Sequence, residues 1–390
     1  MAQAAHQAAL ALEFPALPSL RVPLPACASG QPGRDDIAFE LGWDHAHHGL
    51  VPPAEHLLPA NPVRQGWEAG RASFGHRTLK PTRHVRKWLQ LRLQAWKRGR
   101  AFEGVQVTPN YLAQIDTERC PITRQTLTHA TGADTDGSVD RVYNDAAYAA
   151  GNLAVISLRA NQAKADMRWD EARTLAVLAE ARTTGAGAGT ADGLSSAEWA
   201  RLAILMSFVT SLPHEVAATL PLLVLPPNRL RLLNPIQGLQ ALITLQLTHP
   251  GFAARSAQLA ALMPSKELRS DYQLLFHSLL PRAWDGGRPV DAQLLRERLE
   301  DAWRSPLVLR RWQRFARQLS AEQAEALVQR AVARGLAGRA QQVQVHAVAQ
   351  ATEGWALETG GYEAPTAATR APRRTPARRV MLAELPQAAA

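Results

Sequence analysis

Hydrophobic and polar positions follow two different periods along this 390-residue chain. Residues 138–142 and 153–157 are short apolar or β-favouring runs joined by a loop that contains glycine, which predicts a β-hairpin with a long connection. Residues 159–180 lack glycine and proline and are rich in Ala, Leu, Arg, Lys and Glu. We therefore expect a helix there, so the predicted order is strand, loop, strand, helix.

The rest of the chain divides by composition. Residues 195–350 contain repeated helical runs, the first with a capping-box pattern at Ser195 and Glu198, and predict a helical domain. Glycine, alanine and threonine dominate residues 183–194, which predicts a flexible linker. Residues 351–390 are rich in Ala, Pro, Thr and Arg and predict a disordered basic tail, and residues 1–70 predict a loop-rich region. The expected fold class is α+β.

Polar residues occur in a fixed order within residues 120–166. Asp140-Arg141 ends the first predicted strand, Gly151-Asn152 precedes the second, and Asn161 and Lys164 lie three residues apart on the predicted helix. This order resembles the HNH, or ββα-metal, endonuclease family, in which an Asp-His pair, a Gly-Asn loop and a helical Asn and Lys occupy these places. The chain departs from the family at Arg141, where the family has histidine.

The resemblance implies a ββα-metal module, which together with the basic helix upstream of it makes up residues 71–182, and it implies cleavage of DNA phosphodiester bonds. Asp140 and Asn161 would hold Mg²⁺ or another divalent metal, Asn152 would orient the loop, and Arg141 and Lys164 would contact phosphate. Arg141 cannot replace the histidine as general base, because a guanidinium has no acceptor. His129 is the nearest alternative base in sequence. Taken one by one, the same residues also suit a surface ion pair, a turn and a polar helix position.

Cysteine and histidine usage argues against other metal sites. The chain has only Cys27 and Cys120, so we expect no structural zinc, and we interpret Cys120 as a small buried residue. Few cysteines and no apolar run of membrane-spanning length predict a cytoplasmic protein without a membrane partner. The histidine-rich segment at residues 44–48 lies among glycines and prolines, and we interpret it as a polar loop.

The formal net charge of +10 is concentrated before the motif. Residues 71–100 contain many Lys and Arg and no acid, and apolar residues within them recur at helical spacing. Such a helix would bury one face and present a basic remainder that attracts duplex DNA. The predicted nucleic-acid contacts are Arg83, Arg86, Lys87, Arg92, Lys97 and Arg98.

Two functions remain open at this point. One is an HNH-like metal-dependent endonuclease. The other is a non-catalytic protein of nuclease fold that binds nucleic acid, or a protein partner through its helical half. Arg141 is the feature that separates them, because a histidine there would favour the enzyme.

Overall fold

Helices make up most of the described fold, and the strands within it are short. The computed structural model describes residues 33–183, 190–284, 287, 291–337, 344–346 and 348–363. The helices are α1 Arg34–His47, α2 Pro62–Phe74, α3 Arg83–Lys97, α4 Pro109–Ile115, α5 Leu158–Lys164, α6 Trp169–Thr183, α7 Ser196–Phe208, α8 His214–Thr219, α9 Pro235–Gln246, α10 Phe252–Ala260, α11 Lys266–Ala283, α12 Ala292–Ala302, α13 Pro306–Ala316, α14 Ala321–Ala333 and α15 Val348–Ala351. The strands are β1 Gly137–Arg141, β2 Leu153–Ser157, β3 Thr190–Ala191, β4 Leu194–Ser195, β5 Arg231–Leu232 and β6 Gln344–Val345.

The fold is thus α+β, as predicted, with β1 and β2 forming a small antiparallel sheet. The short strands β3 and β4 are also antiparallel, whereas β5 and β6 are parallel. None of the helices in the described ranges is both long enough and apolar enough to cross a membrane.

Helices α1 and α2 form a tightly packed helical hairpin. A Cβ on Gly42 would lie 1.8 Å from the carbonyl oxygen of Val63, and one on Gly66 would lie 1.9 Å from that of Phe39. The two backbones therefore approach more closely than any larger residue allows. Residues 33–70 are therefore mainly helical, which corrects the prediction of a loop-rich region over residues 1–70 for its described part, because Gly42 and Gly66 serve helix packing. Residues 1–32 lie outside the described residues.

The histidine-rich segment lies at the end of α1 rather than in a loop. His45 is buried, its Nδ1 lies 2.7 Å from the carbonyl oxygen of Leu41, and burial lowers the pKa of its imidazole. His47 stacks on Phe74 of α2 with ring centroids 4.4 Å apart. His47 therefore packs between the two helices, and His45 is bonded within its own helix.

The predicted order of strand, loop, strand and helix is present in β1, β2 and α5. However, the helix expected over residues 159–180 is broken into α5 and α6, which corrects that prediction. Ala165 has a positive φ of 46°, which a helix cannot accommodate, and so ends α5. The side-chain nitrogen of Asn144 donates to the carbonyl oxygens of Ala165 and Met167, at 3.3 and 2.8 Å. A polar contact from the preceding loop thus stabilises a break that helix propensity does not predict.

The helices predicted after residue 195 are present, and α7 begins at the predicted capping box. Ser195 Oγ accepts from the backbone N–H of Glu198, while Glu198 Oε2 accepts from the backbone N–H of Ser195. Within the predicted linker, residues 184–189 lie outside the described residues, and β3 and β4 pair beyond them.

One cluster of buried apolar side chains extends through the ββα segment and the helical half. It includes Ile122 and Leu153 from the former and Trp199, Trp303 and Trp312 from the latter. These three tryptophans are therefore core residues, which leaves them no face for stacking on nucleic-acid bases.

Buried Glu300 on α12 joins the two parts of this core. Its Oε1 accepts from the backbone N–H of Leu225 at 2.8 Å and lies 3.5 Å from Arg296 Nε. Its Oε2 lies 3.3 Å from Nη2 of Arg124, a residue that precedes β1. Burial raises the pKa of Glu300, and the nearby Arg296 opposes that shift. The carboxylate is thus a buried anion between two arginines.

The segment after α15 folds back onto the loop between β1 and β2. Trp355 is fully buried, its Nε1 donates to Ala150 O at 3.1 Å, and its own carbonyl accepts from the backbone N–H of Ala147 at 2.7 Å. Residues 351–363 are therefore part of the fold, which corrects the predicted start of the tail, because a buried indole removes a large apolar area from water. Residues 364–390 lie outside the described residues.

Candidate functional site

Strand β1 places Ser138 and Asp140 on one face of the hairpin, because alternate side chains of a strand point the same way. Helix α5 packs on this face. Asn161 Nδ2 donates to Ser138 Oγ at 2.7 Å, and Lys164 Nζ donates to Asp140 Oδ1 at 3.0 Å. The two predicted metal ligands, Asp140 and Asn161, therefore lie on the same face, but each has a different partner.

Lys164 and Asp140 form a buried ion pair, with side chains 0% and 5% exposed. Lys164 Nζ also donates to Arg141 O at 2.8 Å and to Asn144 Oδ1 at 2.9 Å. An ammonium group has three hydrogens, so these three bonds use all of them. Lys164 thus ties β1, the following loop and α5 together, and it has no donor left for a substrate phosphate.

Burial acts on both charges of this pair. It raises the pKa of the Asp140 carboxyl and lowers the pKa of the Lys164 ammonium. In each case the opposite charge of the partner counters the effect of burial. The charged state of each residue therefore depends on the other one remaining in place.

The carboxylate of Asp140 does not fit the divalent metal that the resemblance implies. Its Oδ2 is buried and has no hydrogen-bond partner among the described residues, so a single oxygen remains for a ligand. A divalent ion at that oxygen would share the carboxylate with the ammonium of Lys164, and the two positive charges would repel each other at low dielectric. In the described part of the chain, no group of three or more His, Cys, Asp or Glu side chains is arranged to hold a metal ion.

The side chain of Arg141 lies on the face of β1 opposite Asp140, because adjacent residues of a strand alternate between faces. Its Nη1 donates to the carbonyl oxygens of Asn144 and Ala146, each at 2.9 Å. The guanidinium carbon lies 5.1 Å from the ring centroid of Tyr148, within the range of a cation–π contact. Arg141 therefore holds the loop between β1 and β2 together, and it offers no acceptor for a proton.

Asn152 organises the same loop from inside the core, where it is fully buried. Its Oδ1 accepts from the backbone N–H of Tyr143 at 2.8 Å. Its Nδ2 donates to the carbonyl oxygens of Tyr143 and Ala147, at 3.1 and 3.2 Å. All of these partners are backbone groups, so Asn152 has a positioning role here and does not face solvent.

His129, the alternative base, lies across the hairpin from Asp140. Position 137 lies on the face of β1 opposite Asp140. A Cβ placed on Gly137 would be 3.6 Å from His129 Nδ1, so the histidine lies on that opposite face. The Nε2 of His129 lies 2.9 Å from Nη1 of Arg83. The structure therefore does not bring His129 to the carboxylate that it would have to serve.

Most of the basic side chains predicted to contact nucleic acid are engaged within the protein. Three of the six form ion pairs: Arg83 with Asp116, Arg92 with Asp44, and Lys97 with Glu55. A fourth, Lys87, donates to the carbonyl oxygen of Gly137 at 3.2 Å. The remaining two, Arg86 and Arg98, are exposed and have no carboxylate partner among the described residues.

Asn144 is an important residue that sequence reasoning did not assign to the site. Its Oδ1 accepts from Lys164, and its Nδ2 holds the break after α5. The only sequence signal was its place in a polar loop, which is typical of turn residues in general. The contact that matters spans 20 positions, from residue 144 to residue 164.

The carboxylate of Asp136, the residue before β1, holds the preceding loop together. Its titration should make the stability of the fold depend on pH. Hydrogen bonds from Thr128 Oγ1 at 2.7 Å and Thr131 Oγ1 at 2.8 Å hold its pKa at about 2. A lowered pKa stabilises the fold above the ordinary value of 3.8, and this stabilisation is lost as the pH falls towards 2.

We expect a carboxyl titration by NMR to give a midpoint near 2 for Asp136. The variant Asp136→Asn should lack this part of the acid dependence of stability. A midpoint close to 3.8 would show that the threonine hydroxyls do not bind the carboxylate in solution.

Comparison with known proteins gave no match: no family model, no curated protein and no solved structure is significantly similar to this chain. The geometry described above is therefore the basis for assigning a function.

Proposed function

We propose that this chain is a nucleic-acid-binding protein built on an HNH-like ββα module that does not hydrolyse phosphodiester bonds. The observation that carries the proposal is the buried ion pair between Lys164 Nζ and Asp140 Oδ1. An HNH-type nuclease would need this carboxylate for a metal ion, whereas here it neutralises a lysine. Arg141 adds no general base, because its guanidinium stays protonated.

The binding part of the proposal is supported by charge. The chain has a formal net charge of +10, and exposed cations follow α2 and continue along α3. They include Arg77, Lys80, Arg86 and Arg98. Exposed Lys and Arg bind nucleic acid mainly by neutralising phosphates and releasing counterions, which requires no base-specific contact.

Plasmid nicking tests the absence of hydrolysis. We expect no relaxation of supercoiled DNA by the wild type with either Mg²⁺ or Mn²⁺. The variant Arg141→His, which introduces the family's residue, should also be inactive, because Asp140 remains paired with Lys164. Metal-dependent nicking by the wild type that is lost in Asp140→Ala would overturn the proposal in favour of an HNH-type endonuclease.

Fluorescence anisotropy with labelled duplex DNA tests binding. Affinity should fall as salt rises, and the double variant Arg86→Gln, Arg98→Gln should reduce the slope of log affinity against log salt by about 1–2. As a matched control, Lys97→Gln should change the slope less, because its ammonium already pairs with Glu55. Absence of binding to duplex DNA and duplex RNA at low salt would refute the nucleic-acid part of the proposal.

A further inference from the structure

A polar cavity of about 200 Å³ lies beside the Gly151-Asn152 turn. Its walls come from α4, from this turn and from the residues that lead into β5. The lining includes Asn110, Tyr111, Gln114, Arg229 and Arg231, and none of the lining residues is acidic. The cavity thus has two cations and several neutral hydrogen-bonding groups around it.

Arg231 is fixed in the wall of this cavity. Its Nη1 donates to Ala351 O at 3.0 Å and its Nη2 to Gln106 Oε1 at 2.9 Å, and both acceptors are uncharged. Its aliphatic stem passes so close to Gly151 that a Cβ there would lie 2.3 Å from Arg231 Cδ. The guanidinium is therefore held in place while its charge is not neutralised by a carboxylate.

Arg229 provides the second charge. Its backbone is left-handed, with φ of 63°, a conformation that residues with a Cβ rarely adopt. Its side chain is exposed and has no carboxylate partner within the described ranges. Strained backbone of this kind is concentrated at ligand-binding positions, and here it occurs at the rim of a cationic cavity.

The hydroxyl of Tyr111 offers a neutral donor in the same cavity. It accepts from the backbone N–H of Gly151 at 2.9 Å, and no acceptor for its own hydrogen is found in the described structure. Burial raises the pKa of Tyr111, so the hydroxyl keeps that hydrogen at neutral pH. The negative charge of Glu103 also raises the pKa of Tyr111. The Oε1 of Glu103 accepts from the backbone N–H groups of Val105 and Gln106.

We propose that this cavity binds a phosphate group. Two guanidinium groups and a tyrosine hydroxyl present donors to one small space, and tetrahedral oxyanions match such donor sets. Inorganic phosphate and a backbone phosphate of nucleic acid share this chemistry. The inference does not depend on the proposed function, because a free phosphate would occupy the same site.

Titration of the full-length protein with inorganic phosphate, followed by ³¹P NMR and calorimetry at constant ionic strength, tests the proposal. We expect saturable binding to the wild type and a loss of affinity of about tenfold or more in Arg229→Gln, since hydrogen bonds to charged groups are the stronger class. The charge-matched control Arg334→Gln, an exposed arginine at the end of α14, should bind phosphate as the wild type does. Thermal unfolding checks that both variants are folded.

A second arm identifies the source of the phosphate. If phosphate competes with duplex DNA and Arg229→Gln weakens DNA binding more than Arg334→Gln does, the site receives a backbone phosphate. If phosphate binds but DNA binding is unaffected, the site receives a free phosphate. Failure of phosphate to saturate the wild type, or equal binding by Arg229→Gln, would overturn the proposal and leave the test of DNA binding untouched.

Discussion

Replacing Lys164 by methionine is expected to lower the free energy of unfolding by about 3–5 kcal/mol, the usual cost of leaving one charge of a buried pair without its partner. Lys164 is fully buried, and its ammonium donates to Asp140, Arg141 and Asn144 at 2.8–3.0 Å. Methionine fills a similar volume, so the loss would come mainly from leaving the Asp140 carboxylate buried without its cation. Urea unfolding followed by circular dichroism measures this change.

A double variant separates the charge effect from packing. Asp140→Leu combined with Lys164→Met removes both charges, and we expect it to be more stable than Lys164→Met alone. As a control, Lys97→Met breaks an ion pair with Glu55 in which the two side chains are 50% and 57% exposed, and it should destabilise the protein much less than Lys164→Met does. A loss below about 1 kcal/mol for Lys164→Met would mean that the pair is not buried in solution.

Replacing Glu300 by alanine should have an effect of similar size, about 3–5 kcal/mol, because it removes the buried carboxylate of the pair and leaves Arg296 with no carboxylate partner among the described residues. Arg296 Nε and Arg124 Nη2 lie 3.5 and 3.3 Å from the two oxygens of Glu300, whose side chain is 4% exposed. The change also removes the acceptor for the backbone N–H of Leu225. We expect a single unfolding transition that is shifted to lower urea concentration.

Asp301 is the matched control for this prediction. It also pairs with Arg124, at 2.7 Å, but its side chain is 48% exposed. Asp301→Ala should therefore cost about 1 kcal/mol or less, because solvent screens an exposed pair. Equal losses for the two variants would show that burial does not strengthen the contacts of Glu300.

The predictions that held rest on patterns that are local in sequence. The capping box at Ser195 and Glu198 joins residues three positions apart, and it marks the start of α7 as predicted. The apolar runs of β1 and β2 pair in an antiparallel sheet, and Cys120 is buried with 1% of its surface exposed. Caps, periodicity and strand propensity act over a few residues, so the chain alone determines them.

The predictions that the structure corrects depend on contacts between segments that are separated in sequence. The break after α5 depends on Asn144, which reaches Ala165 and Met167 from the preceding loop. The helical hairpin of α1 and α2 depends on two glycines that meet a facing backbone, and a glycine in sequence signals a turn as readily as a close contact.

The pairing and burial of the charged residues at the candidate site were determined by the tertiary structure. The sequence determined that Asp140, Asn161 and Lys164 would fall near one another on a hairpin and a helix, but it did not determine that Lys164 would be buried against Asp140. Likewise, the basic pattern of α3 was evident, whereas the acid that neutralises Arg92 lies 48 positions away, on α1. The physical reason is that the effect of a charge depends on burial and on the distance to its partner, and folding sets both between segments that are remote in sequence.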